Sequence, residues 1–272
     1  MPTPYYTRIR QAAPNERGNK SGQASGLKIL SCSLPGTCWV IIKRNLSVNA
    51  LYVEPFVSIQ FVEALELLHH RCVDMAALVQ GAVEQVTQAV IHCRPDIAQG
   101  VRDTEEQIDA EEVEIERAAI NMLSEHKPAA SDLRTVFAIV KINSDLERIG
   151  DCAYNIALMV PSFSATISQI PHELKTMAES TLKQVEDTTK CLGLSDPALA
   201  SDVCRGDDVI DALYHQIYQD LQAGMVADTQ NVPADLAMIM IAKNFERIAD
   251  HCTNIAEEVV FLVRGQIIRH VH

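Results

Sequence analysis

The chain has 272 residues, enough for one large domain or two small ones. Its formal net charge of −13 is uneven: residues 1–50 hold seven basic residues and one acid, and the other 222 hold 16 basic and 35 acidic, a net of −19. A body this acidic lacks the cationic face that non-specific nucleic-acid binding needs, so no nucleic-acid partner is expected.

Apolar residues make up 47% and aromatics only 5%, a core mix of Leu, Ile, Val, Ala and Met that suits helix packing better than a sheet. The eight cysteines include no C-x-x-C pair, which argues against a zinc or thioredoxin-like site and fits reduced, intracellular thiols. No apolar run is long enough to span a bilayer. The longest, Leu27–Ile42, is broken by Pro35 and Gly36, and no small-x-small cleavage site follows it.

Residues 1–52 are rich in Pro, Gly, Ser and Asn without periodicity and are expected to form a poorly ordered basic extension. From about Phe56 the pattern is helical. Breaks at Arg94-Pro95, Lys127-Pro128, Pro161-Ser162, Gly193 to Ser195 and Asn231 to Pro233 predict six helices, over 56–92, 95–125, 130–160, 165–192, 196–225 and 233–264. In the third, Ile139, Ile142, Leu146, Ile149, Ala153, Ile156 and Val160 step by three and four. In the sixth, Ile241, Phe245, Ile248, Cys252, Ile255, Val259 and Leu262 do the same. Both stripes are core seams.

The chain repeats itself. Leu146-Glu147-Arg148-Ile149-Gly150-Asp151 matches Phe245-Glu246-Arg247-Ile248-Ala249-Asp250, and Asn155-Ile156-Ala157 matches Asn254-Ile255-Ala256, both at an offset of 99. Upstream, Glu105, Ile108 and Asp109 match Asp207, Ile210 and Asp211 at an offset of 102. Two copies of a three-helix unit follow, over 53–162 and 163–272, so the expected fold is all-α: two pseudo-symmetric antiparallel three-helix bundles.

The repeat shows one chemical feature four times, an acid followed four residues later by Asp: Glu105/Asp109, Glu147/Asp151, Asp207/Asp211 and Glu246/Asp250. Residues i and i+4 share a helix face, where like charges repel unless a cation lies between them. Relative to the seams these acids fall toward the bundle surface. Oxygen-only ligands suit Fe(III), Mn(II), Mg(II) or Ca(II). If the second and third helices of a unit are neighbours, each unit pools two pairs into one four-carboxylate site. Arg148 and Arg247 sit between the paired acids and are expected to form local salt bridges. His251 is expected to be packed or solvated rather than a ligand.

A buried di-iron enzyme would need paired Glu-x-x-His motifs. Only Glu66/His69 fits, without a partner in the second repeat. No nucleophile elbow or P-loop occurs, so a non-enzyme is expected. The alternatives are a helical metal-dependent enzyme of the di-iron type and a structural dimerisation module without metal.

The segments Pro128-Ala-Ala-Ser-Asp-Leu-Arg134, Asp145 to Asp151, Phe245 to Asn254 and Phe261-Leu-Val-Arg-Gly265 resemble the PhoU family of phosphate-transport regulators. The resemblance covers about residues 58–270 and leaves the basic extension outside. It implies a cytoplasmic, usually dimeric, two-bundle protein that restrains the phosphate-starvation response. Its implied partners are the ATPase subunit of a phosphate ABC transporter and a phosphate-sensing histidine kinase, with membrane association only through them. It also implies surface metal centres, with iron, zinc, manganese or magnesium, on Glu105, Asp109, Glu147, Asp151, Asp207, Asp211, Glu246 and Asp250. Leu158 stands where the second repeat has Glu257, so the two centres need not be equivalent.

Overall fold

The structure, a computed structural model, describes residues 28–31, 39–44, 51–53 and 59–264, apart from 127, 129, 166 and 168. The chain divides into two compact units, Met1–Val62 and Glu63–His272. In the first, the stretch whose sequence lacks periodicity holds three short strands: β1 (Lys28–Ser31), β2 (Trp39–Arg44) and β3 (Leu51–Val53). They pair antiparallel in the order β1-β2-β3, with Lys28 opposite Ile42 and Lys43 opposite Tyr52. Residues 39–44 read Trp-Val-Ile-Ile-Lys-Arg, and aromatic and β-branched side chains favour extended backbone. The remainder of the extension lies outside the described residues.

Among the described residues the six α-helices are α1 (Ile59–Ile91), α2 (Val101–Glu125), α3 (Ala130–Ser164), α4 (His172–Leu194), α5 (Pro197–Ala227) and α6 (Val232–Arg264). Together they make an all-α helical bundle. None of them is long and apolar enough to cross a membrane, among the described residues. A 3₁₀ turn over Ile97–Gly100 takes the place of the expected first turn of α2. Pro161 does not end α3, contrary to the sequence reading. It lies in the helix's last turn, where it forfeits one backbone hydrogen bond while the fully buried Phe163 anchors the chain beyond it. Gly193 likewise stays helical, and α4 ends at Ser195 in the left-handed conformation (φ 50°). Asp196 then caps α5, its Oδ1 accepting from the Ala198 amide at 2.8 Å, with Pro197 in the first turn.

The α3 seam from Ile139 to Val160 is buried throughout, and so is the α6 seam from Ile241 to Val259; only Leu262, near the end of α6, is partly open. In the second repeat α4, α5 and α6 pack pairwise, and in the first α2 lies on α3. Arg71 of α1 pairs with Glu111 of α2 at 2.7 Å. The repeats join along α3 and α6. Lys141 reaches Glu258 at 3.2 Å, and His251 meets Asp145 at 2.9 Å. As one number rises the other falls, so the two helices run antiparallel. They cross near Arg148 and Arg247, which are equivalent under the repeat. A local pseudo-twofold axis therefore passes between the two motifs that carry the paired acids.

Candidate metal centre

The first cluster forms where α2 and α3 pack. Ile108, fully buried, points at Gly150: a Cβ added there would lie 3.1 Å from Ile108 Cδ1 and 3.3 Å from its Cγ2. The missing side chain lets the helices close up, and the next residue on each is an acid, Asp109 and Asp151. Glu105, Asp109 and Asp151 each offer an oxygen within 4.8 Å of the others. Partial burial first, then the neighbouring Asp109 and Asp151, raises the Glu105 carboxyl above its ordinary range. Partial burial and Asp151 do the same for Asp109. Glu147 is raised by burial, then by Asp151 and Glu112. Glu112 itself, one turn beyond Asp109, is raised by burial, then by Glu116 and Asp109. It belongs to this cluster, and the i, i+4, i+7 spacing of Glu105, Asp109 and Glu112 is the sequence signal that marks it.

The second cluster lies between α5 and α6 and comprises Asp207, Asp211, Glu246 and Asp250. Burial, then Asp211 and Asp250, pushes the Asp207 carboxyl up to about 6. Asp250 is raised by burial, then by Glu246 and Asp211. Yet no three carboxylates converge here as they do in the first cluster, among the described residues. Lys243 holds Glu246 through its Nζ, which donates to Oε1 at 2.7 Å.

A cleft of about 920 Å³ opens between the clusters. Glu147, Arg148 and Asp151 of α3 line one wall, and Arg247, Asp250 and Glu257 of α6 the other, with Asp207 of α5 at one side. The expected salt bridges of Arg148 and Arg247 do not form. Both guanidiniums are exposed, and among the described residues neither lies in an ion pair. His251 and Asn254 turn instead to Asp145: His251 Nδ1 lies 2.9 Å from Asp145 Oδ1, and the Asn254 amide donates to the same oxygen at 3.4 Å.

The Glu66/His69 pair builds no centre. His69 Nε2 lies 3.2 Å from the Leu192 carbonyl oxygen, and Glu66 is exposed. The buried thiols are chemically quiet, burial pushing both Cys72 and Cys252 up to about 12.

The donor chemistry of the clusters fits hard cations. Every member offers oxygen only, the like charges crowd together, and Asp207 Oδ1 is buried without a hydrogen-bond partner among the described residues. A cation would relieve both the repulsion and the orphaned oxygen. Fold and site thus define a helical scaffold of two repeats, each presenting a surface carboxylate cluster beside a shared cleft.

Residues 72–160 and 174–259 match the PhoU domain. The chain belongs to the PhoU family. It is 35% identical over 207 residues to the phosphate-specific transport system accessory protein PhoU homolog of Zymomonas mobilis subsp. mobilis, covering 76% of this chain and 87% of that protein. It is 29% identical over 224 residues to the accessory protein PhoU of Escherichia coli (strain K12), covering 82% and 93%. The crystal structure of PhoU from Pseudomonas aeruginosa superposes with a TM-score of 0.73 at 32% identity, covering 76% of this chain and 100% of that one. That of the phosphate transport system regulatory protein PhoU from Streptococcus pneumoniae gives 0.70 at 25% identity, covering 76% and 99%.

Proposed function

We propose that this protein is a non-catalytic, cytoplasmic accessory of phosphate transport that restrains the phosphate-starvation response. It couples the ATPase subunit of a phosphate ABC transporter to a sensor histidine kinase and acts as a homodimer. The observation that carries this reading is the match to the PhoU domain over both repeats, with relatives named as accessory or regulatory proteins of phosphate transport. The two carboxylate clusters hold metal ions on Glu105, Asp109, Glu147 and Asp151 and on Asp207, Asp211, Glu246 and Asp250. Bound cations offset the negative charge of the shared surface, so that Arg148 and Arg247 face a partner across a neutralised cleft.

Deleting the gene should raise phosphate uptake and secreted phosphatase in phosphate-rich medium. Unchanged activity of both would overturn the regulatory role. The Glu147→Ala, Asp151→Ala variant, purified without chelator, should carry less metal per chain by elemental analysis. Equal metal content in variant and wild type would remove the site assignment.

A further inference from the structure

Around the two carboxylate clusters the repeat is broken at several positions, three of which bear on how the acids converge. Lys243 stands where the first repeat has Ser144, Tyr214 where it has Glu112, and Ala249 where it has Gly150. These differences act together. The Lys243 ammonium donates to Glu246 at 2.7 Å and lies 5.2 Å from the centre of the Tyr214 ring, so its charge is held from two sides. Glu246 is the less exposed partner, its side chain 14% open against 46% for Lys243. In the first cluster no ammonium or guanidinium is hydrogen-bonded to Glu105, Asp109, Glu147 or Asp151 among the described residues, and Glu112 adds a further carboxylate. There Gly150 lets α2 and α3 close until three carboxylate oxygens converge within 4.8 Å. In the second, Ala249 and Ile210, both buried, hold the places of Gly150 and Ile108, and no such convergence occurs among the described residues. Glu257 lines the cleft beside Asp207 and Asp250 and partly offsets the missing acid, but it leaves the Lys243–Glu246 pair intact.

Resting on the metal-centre reading above, we propose that Lys243 is an affinity-setting residue that makes the two centres fill in order. The Glu105/Asp109/Glu147/Asp151 centre loads first. The Asp207/Asp211/Glu246/Asp250 centre loads only when the cation displaces the Lys243 ammonium from Glu246. A divalent ion entering the second centre must break a charge-assisted hydrogen bond to one of its ligands, whereas the positive charges near the first, Arg148 and Arg102, are hydrogen-bonded to none of its four carboxylates among the described residues. The protein thereby responds to divalent cation over a wide concentration range.

The test is a titration of metal-free full-length protein with Mn(II), free Mn(II) being read by electron paramagnetic resonance and folding by circular dichroism. Wild type should show two classes of site separated by at least about tenfold in Kd, or about 1.4 kcal/mol. Lys243→Met keeps the stem over Tyr214 and removes the charge; it should bring the weak class to within about threefold of the strong one. Ser144→Lys should weaken the strong class by about tenfold. A Lys243→Met protein with native circular dichroism and an unmoved weak class would overturn the ordering, as would a single class in wild type. Wild type that binds no Mn(II) would instead remove the metal-centre reading itself and the ordering with it.

Discussion

Asp145 and His251 join the two repeats across the α3–α6 seam, Oδ1 to Nδ1 at 2.9 Å, with their side chains only 11% and 12% exposed. The contact exists once. Under the repeat, Asp145 corresponds to Asn244 and His251 to Cys152, and the Asn244 amide donates to its own helix, to the Met240 carbonyl at 2.8 Å. The polar tie, like the Lys141–Glu258 pair further along, therefore breaks the pseudo-symmetry of a largely apolar seam. It also fixes the register in which the two acid-bearing motifs face each other.

Asp145→Ala should lower stability by about 1–3 kcal/mol, because it leaves His251 and Asn254 near-buried without their shared acceptor. Chemical denaturation monitored by circular dichroism measures it. Asn244→Ala, which removes only a bond within one helix, should cost less than half as much. Equal losses in the two variants would show that the tie contributes nothing specific to the joining of the repeats.

Much of this arrangement is legible in the sequence, for one physical reason. A stripe stepping by three and four has a single way to bury itself, so the seams from Ile139 to Val160 and from Ile241 to Val259 mark core directly. The acid pairs are then outward by subtraction. What pattern could not reveal depends on partners far along the chain. Pro161 reads as a stop, but burial of Phe163 outweighs it. Arg148 and Arg247 read as salt-bridged, because their neighbours in sequence are acids whose direction only the fold decides. Lys243 reads as one more solvated charge until Glu246 and Tyr214 converge on it. The strands of residues 28–53 are too short and too interrupted to leave a period.

Gly150→Ala tests the close approach of α2 and α3. Alanine gains about 1 kcal/mol in helix propensity over glycine. Here the new methyl would meet Ile108 at 3.1 and 3.3 Å, and Ile108 is fully buried with nowhere to move. Overpacking of this kind costs about 1–3 kcal/mol, so the net change should be a loss of about 1 kcal/mol, with weaker Mn(II) binding at the first centre. Ile108→Val on the same background should restore part of both. A more stable Gly150→Ala protein would show that the helices can separate freely.

Asp207→Asn tests the charge crowding of the second centre. Burial and the neighbouring Asp211 and Asp250 oppose ionisation of this carboxyl. Asparagine removes the charge at almost constant volume. The metal-free variant should melt about 3 °C above metal-free wild type, the shift that about 1 kcal/mol produces in a domain of this size. Manganese should raise the Tm of the variant by less than it raises that of wild type. A lower Tm for the metal-free variant would mean that Asp207 is structurally required rather than repelled.

His69 offers a pH test independent of the carboxylates. Burial, opposed by the Leu192 carbonyl and assisted by His70, lowers its pKa below the ordinary 6.5. The folded state therefore binds fewer protons than the unfolded chain in the window just below 6.5. The stability that the neutral ring contributes is complete above that pH and is lost as the pH falls from 6.5 toward the lowered folded value. The slope for one such group is at most about 1.4 kcal/mol per pH unit. The raised carboxyls act in the opposite sense, since folded groups with elevated pKa gain stability on acidification. The informative quantity is therefore the difference between wild type and His69→Gln, which keeps a donor for the Leu192 carbonyl but does not titrate. Urea unfolding at pH 7.5 and 5.5 should show the variant gaining on wild type at the lower pH. A difference that stays constant across that interval would mean that the ring is solvated and titrates alike in both states.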